Sequence, residues 1–461
     1  MNPLLNPLIL PRILKSYLEV PKRLNQIRQE DLEQYQNKSF RKVVDHAYTV
    51  PLYHEKYKKA CIHPRDIKSI KDIKKLPVVT KEDIREFSPN GIISPHFNKK
   101  TAITVFTGGS TGGSLSLYFD MYTVIKAMLG FVRAFREYGV DWRKTRMSLL
   151  IDLSENSFEN RYFIQSIFSA LRPVISQKNM QIIDLFSDPE TVIPEIDKFQ
   201  PEFIVGYPFA FIQLAIFKKR GYGENIAPQC MMSSGSYFDP YTRKIVEKVF
   251  DATVYDFYAA TESGPLAFEC KRRKYHVHSD LVFTEYLREG EEVSSGEPGS
   301  LVVTKLYGSG TPIIRYAGID DIVTCSNKPC DCGIISEVIE RIHGRRTDSV
   351  VLPNGKLVLT SFFENIIGET VYELNSDKIR RIQILQHNIN RLEIKIQIDE
   401  KLRSVGSSVE ELFRILKKKL YDRLGSDIDI TITEVDSFNV KDAYLVSKID
   451  KSKIIGDSYV L

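Results

Sequence analysis

EFIVGYPFAFIQLAIFKKRGYGENIAPQCMMSSGSYFDPYTRKIVEKVFDATVYDF, residues 202–257, reads as strand at 202–206, helix at 208–219, strand at 230–233, helix at 240–249 and strand at 252–256. Short apolar runs with turn signals at their ends suit buried strands, and the longer segments between them have helical spacing. The same alternation continues upstream. Residues 122–137 place Ile125, Met128, Leu129, Val132 and Phe135 on one helical face, Gly139 stops the helix, and MSLLIDL at 147–153 follows as a buried strand. Helix alternating with strand predicts an α/β body of helices layered on a sheet. From about 281 to 325 the pattern changes to β-branched runs broken by Gly and Pro (TEYL, GEPGSLVVTKL, TPIIRY), which predicts a mostly antiparallel sheet or barrel. After Gly344 the chain turns Lys/Ile-rich and reads strand, strand, helix, strand, the pattern of a small α+β unit. The expected division is a large, layered N-terminal part over 1–345, β-rich at about 281–340, and a small C-terminal domain over 346–461.

Composition narrows the function. The chain has 461 residues and 43% hydrophobic content, enough to fill sizeable cores, so intrinsic disorder is excluded. No apolar stretch reaches the ~18 residues needed to cross a membrane. With 64 Lys+Arg against 59 Asp+Glu the net charge is +5, and no dense basic block marks a nucleic-acid partner. Six cysteines are too few for a disulfide scaffold of this length, and Cys325, Cys330 and Cys332 crowd together, which favours a metal and a reducing, cytoplasmic setting. The N-terminus carries Pro3, Pro7 and Pro11 and lacks a cleavage site, so it does not read as a signal peptide. Ile13 to Leu24 forms an amphipathic pattern expected to pack on the body, with attachment to a membrane surface as the alternative.

Four segments carry chemistry. Thr107-Gly-Gly-Ser-Thr-Gly-Gly-Ser114 follows the β-branched run TAITVF; glycines let backbone N–H groups converge on an anion, and hydroxyls add donors, so the segment suits a phosphate. It is not a Walker loop, because Ser114 and Leu115 stand where Lys and Ser/Thr are required. Tyr255-Asp-Phe-Tyr258-Ala-Ala-Thr261-Glu262 ends a strand with a ring that can stack on a base, a hydroxyl for a phosphate and a carboxylate for Mg²⁺. Ile314-Arg-Tyr-Ala-Gly-Ile-Asp-Asp321 places carboxylates after a strand, where ribose hydroxyls could be held. Gly344-Arg-Arg-Thr-Asp348 lies at the change of composition. Separately, Cys270 and His276 on one loop and Cys330 and Cys332 on another would make a closed Cys₃His zinc site, with His278 or Cys325 as substitutes. No histidine has a Ser or Cys nucleophile setting, so a hydrolase triad is not supported.

TGGSTGG, YxxTE, RYxxxD and GRxxD in this order resemble the adenylate-forming superfamily of acyl-CoA ligases, in its phenylacetate-CoA ligase and CapK-like branch. VPLYHEKYKKACIHPRDIKSIKDIKKLPVVTKEDIRE at 50–86, FIVGYPFAF at 203–211 and MMSSGSYFD at 231–239 extend the likeness over nearly the whole chain. The resemblance implies ATP-dependent formation of an acyl-adenylate from a carboxylic acid, release of pyrophosphate, and transfer of the acyl group to coenzyme A. An amine or hydroxyl acceptor, or a catalytically silent nucleotide-binding relative, are the alternatives, and a homodimer is compatible with it. Thr107, Ser110 and Thr111 would contact phosphates, with Gly108, Gly109 and Gly112 allowing close approach. Gly235 and Ser236 would lie on the adenine side, Tyr258 against the base and Thr261 at the α-phosphate. Glu262 would take Mg²⁺, Asp320 the ribose with Asp321 as the slipped alternative, and Arg345 would reach the nucleotide from a hinge at 345–348. Tyr207, Pro208 and Phe209 would line the acid's pocket, and the branch's equivalent Cys/His positions can carry zinc.

One departure matters. The family's C-terminal Gly-Lys pair aligns with Asp442 and Ala443 in FNVKDAYLVSKID, leaving Lys441 two residues out of register as the candidate donor.

Overall fold

The computed structural model describes residues 10–107, 115–155, 157–168, 177–374, 376, 378–438, 444–449, 451 and 459–460. A twelve-stranded sheet organises the body. Its first five strands, Met180–Asp184, Met147–Ile151, Phe203–Gly206, Cys230–Ser234 and Thr253–Ala260, are parallel neighbours. The helices Pro208–Lys219 and Pro240–Phe250 connect the last three of them. These strands are apolar on both faces because helices cover both, as buried parallel strands require. One face packs under the helix pair through Ile204, Phe211, Leu214 and Met231. The other receives the helix Met121–Glu137, with Phe135 edge-on to Phe203 at 5.2 Å between ring centroids.

The sheet then changes direction. Gly264–Glu269 pairs antiparallel with Thr253–Ala260, and an antiparallel wing continues through Tyr275–Val277, Val338–Arg345, Asp321–Ser326, Pro298–Lys305 and Val282–Arg288. The β-rich stretch is therefore an extension of the main sheet rather than a closed barrel.

The helix Leu10–Gln26 lies on the body with Ile13, Val20 and Leu24 buried, as the packing expectation had it, while Leu14 and Leu18 stay exposed. Its anchor is ionic. Arg133, fully buried on the helix Met121–Glu137, donates to the Val20 carbonyl and to the Asp280 carboxylate at 2.8 Å, and Arg23 donates to the same carboxylate at 2.8 Å.

Beyond Arg345 the residues form a second core. Strands Ser349–Val351 and Leu357–Leu359 lead into the helix Thr360–Glu373, followed by a four-stranded sheet ordered Asp429–Glu434, Arg391–Ile398, Ile379–Asn388, Leu445–Ser447. The helix Val409–Leu424 covers this sheet with Leu412, Leu416 and Leu420, spaced four residues apart on one face. Asn365 accepts a 2.7 Å hydrogen bond from Arg341 of the body. Among the described residues, no helix is long and apolar enough to cross a membrane.

Removing the shared counter-ion of two arginines leaves Arg133 charged and buried without its carboxylate. Asp280→Ala is expected to destabilise the fold by about 3–5 kcal/mol, measured by urea unfolding against the parent chain.

Candidate active site

A cleft of about 2500 Å³ opens at the carboxyl ends of the parallel strands and runs between the body and the small C-terminal core. Ligands of open α/β sheets bind at such strand ends because the loops there diverge. The segments singled out in sequence meet here. Thr107, Tyr207, Ser234 to Tyr237, Tyr258 to Glu262, Asp320, Asp321 and Arg345 all line it.

The glycine segment is held out by a hairpin of Ile103–Phe106 and Ser116–Phe119. Residues 108–114 lie outside the described residues, so Gly108, Gly109, Ser110, Thr111 and Gly112 are placed only by their flanks. Thr107 closes the base: its N–H donates to the Leu115 carbonyl and its hydroxyl oxygen accepts from the Leu115 N–H, both at 3.0 Å. Its hydroxyl oxygen is thus engaged in shaping the loop as well as facing the cleft.

Gly235 has φ of +85°, and a Cβ there would lie 2.2 Å from Tyr207 Cε1. Both conformation and space therefore demand glycine at this turn. Below it the Tyr207 hydroxyl is hydrogen-bonded to the Glu159 carboxylate. Glu159 opens the helical segment Glu159–Phe168, to which the sequence reading assigns no role, and burial pushes its pKa up. Pro208 starts the following helix, and Phe209 stacks at 6.1 Å on Phe186.

Glu262 sits just beyond the strand Thr253–Ala260, 7% exposed, and accepts from the Tyr316 hydroxyl at 3.2 Å. Burial raises its pKa, while the charges of Lys81 and Arg345 and the Tyr316 bond oppose that rise. A buried carboxylate with cations nearby is a fitting oxygen ligand for a hard divalent ion. Lys81 is a cleft residue to which no role is assigned above, although it lies within the quoted segment 50–86.

The two carboxylates after Ile319 have different duties. Asp321 is buried and accepts from the Tyr258 hydroxyl, with Arg345 Nε 3.9 Å from its other oxygen; burial pushes its pKa up to about 6. Asp320, at φ +68°, accepts the Thr347 N–H at 2.8 Å with its carboxylate and the Arg346 N–H at 2.8 Å with its carbonyl. Lys451 donates to the Thr347 carbonyl from the C-terminal segment. Residues 345–348 are thus tied to Asp320 on one side and Lys451 on the other. Lys441 lies outside the described residues, as do Asp442 and Ala443.

Away from the cleft, ligand atoms of Cys270, His276, Cys330 and Cys332 lie within 4.8 Å of one another. Cys270 Sγ is 3.9 Å from Cys330 Sγ, and Cys332 Sγ is 3.1 Å from His276 Nε2. Tetrahedral zinc with S and N ligands needs ligand separations of about 3.5–3.8 Å, so the set is nearly of the right size. His276 Nδ1 meets Ser336 Oγ at 2.9 Å, which directs Nε2 inward, and burial lowers its pKa to about 4, keeping the ring neutral. Neither suggested substitute joins the set: His278 is bonded to Arg133 at 2.8 Å, and Cys325 is outside the cluster.

No family model matches the chain. In sequence it is 25% identical over 427 residues to Protein CapK of Staphylococcus aureus, covering 90% of this chain and 88% of that one. It is 21% identical over 445 residues to phenylacetate-coenzyme A ligase of Escherichia coli (strain K12), covering 93% and 96%. A crystal structure of 2-hydroxyisobutyryl-CoA ligase in the postadenylation state, in complex with R3-HIB-AMP, matches with a TM-score of 0.75 at 18% identity, over 92% of this chain and 91% of that one. In sequence the chain is thus similar to CapK and to phenylacetate-coenzyme A ligase, and its mixed α/β architecture is the fold of the solved 2-hydroxyisobutyryl-CoA ligase.

Gly235→Ala should cost about 1–3 kcal/mol from overpacking against the tyrosine ring, with further strain from the left-handed backbone. In urea unfolding, the double variant Gly235→Ala/Tyr207→Ala is expected to relieve the overpacking part relative to the sum of the single variants.

Proposed function

We propose that the chain is an AMP-forming ligase that activates a carboxylic acid with ATP, releases pyrophosphate, and passes the acyl group from the adenylate to coenzyme A. The observation that carries this reading is the meeting of Thr107, the Gly235 turn, Glu262 and Asp320 on one cleft. The relatives named as CoA ligases support it.

A carboxylate attacking the α-phosphorus of ATP meets like-charge repulsion, so the protein's task is positioning and neutralisation. The glycine segment would wrap the phosphates with backbone donors, held in place by the Thr107–Leu115 closure. Tyr258 would flank the adenine opposite the Gly235–Ser236 turn. Its hydroxyl is fixed by Asp321, which sets the ring's orientation. Asp320 would accept ribose hydroxyls, and doing so competes with its bond to the Thr347 N–H at the hinge. Nucleotide binding and hinge freedom are thereby linked. Thr261 would donate to the α-phosphate, and Arg345 and Lys81 bring positive charge to the same side. Glu262 would hold Mg²⁺, which supplies further positive charge where the phosphate oxygens gather. Lys441 would add a donor late in the chain. Tyr207 and Phe209 would border the acid beyond the turn.

The cysteine–histidine set would hold a structural zinc. It joins the loop after Gly264–Glu269 to the segment before Val338–Arg345, and so braces the strand that ends in Arg345.

Acid-dependent ATP–pyrophosphate exchange tests the reading. Exchange is expected with at least one acid of a broad panel and should fall by about 10²-fold or more in Glu262→Ala; no exchange with any acid defeats it. Elemental analysis should find one zinc per chain, lost in Cys330→Ser together with a lower unfolding temperature. A parent chain purified without chelators and free of zinc removes the metal assignment.

A further inference from the structure

Val205 lies on Phe203–Gly206, an inner strand of the parallel run, where side chains are ordinarily sealed between layers. It is only half-buried. The same holds for Met128, Phe131, Val132 and Phe135 on the facing helix and for Met180 on the neighbouring edge strand. All of these side chains line the cleft. Phe131 stacks on Phe257 and Phe135 meets Phe203 edge-on, so the helix Met121–Glu137 touches the sheet there; alongside these contacts Met128, Val132, Val205 and Met180 border an apolar slot that continues the cleft. Close packing is the rule in protein interiors, and an apolar void of this extent normally has an occupant.

Two measures give the slot's depth. From Ile151 to Met147 the strand descends four residues, about 13 Å at ~3.3 Å per residue. From Met128 to Phe135 the helix descends seven residues, about 10 Å at ~1.5 Å per residue. Its head is next to the turn, because Tyr207 follows Val205 by two residues. Its foot is at Trp142, which packs edge-on against Tyr17 of the helix Leu10–Gln26 at 6.4 Å, both lining the cleft. At the head, Glu159 and Tyr207 are bonded to each other, so that pair makes no separate polar demand on the tail of a ligand.

We propose that the acid activated by this chain carries an extended apolar tail, an aliphatic chain of octanoyl length or longer, seated between the helix Met121–Glu137 and the sheet with its carboxylate at the Gly235 turn. This deepens the ligase reading above and rests on it. An aryl acid with one ring fills only the head of the slot. Each further methylene taken out of water strengthens binding by about fourfold, so chain length is the specificity determinant.

The experiment is ATP–pyrophosphate exchange by the full chain with phenylacetate and with straight-chain acids from acetate to dodecanoate. KM should fall about fourfold per methylene from hexanoate to decanoate. Val132→Trp, which fills the middle of the slot, should abolish that fall, its folding checked by circular dichroism. Phe135→Ala, which deepens the foot, should move the best acid to longer chains and carries the test if Val132→Trp does not fold. A KM that is flat from hexanoate to dodecanoate, alongside exchange with phenylacetate, overturns this inference and leaves the ligase reading standing. Exchange with no acid removes both.

Discussion

The hydrogen bond from the Tyr258 hydroxyl to the Asp321 carboxylate joins the last parallel strand to the antiparallel wing where the cleft opens. Tyr258 belongs to the strand that leads to Thr261 and Glu262. Asp321 begins a strand paired residue for residue with Arg345, and its neighbour Asp320 holds the backbone of Thr347. A single buried contact therefore ties the cleft-lining segment around Thr261 and Glu262 to the point at which the chain leaves the body. The cost is a carboxylate kept from water, visible in its raised pKa and offset by Tyr258 and Arg345.

The rest of the body keeps this junction rigid. Helices cover both faces of the parallel strands, and the buried Arg133–Asp280–Arg23 group clamps the N-terminal helix over the segment between the cysteine loop and the wing. The small C-terminal core is built separately around Leu412, Leu416 and Ile394 and meets the body through contacts such as Arg341 to Asn365.

The parallel strands and their helices were legible in advance because apolar runs of four or five residues and helical stripes are local signals. Cys230–Ser234 and Pro240–Phe250 fall within a residue or two of their expected positions. Tyr258, Glu262, Asp320 and Gly235 were legible as motifs, and their convergence follows from strands ending on one side of a sheet. Glu159 was not legible: no motif marks it, and its partner Tyr207 is 48 residues away. Nor was the division of labour between Asp320 and Asp321, adjacent and chemically identical, because only their orientations separate the buried partner of Tyr258 from the acceptor of the Thr347 N–H.

The amino-acid order alone determined the α/β class and marked Tyr207, Gly235, Tyr258, Glu262 and Asp320, which line the cleft, together with the Cys/His cluster. These depend on periodicity and side-chain chemistry, which act over a few residues. Folding decided the rest: that the β-rich stretch extends the main sheet instead of closing on itself, that Thr107 closes a loop, and that an apolar slot lies under the helix Met121–Glu137. Such features depend on how segments pack in space, from the eight-residue Thr107–Leu115 closure to Phe135 against Phe203, 68 residues apart, which no local pattern encodes.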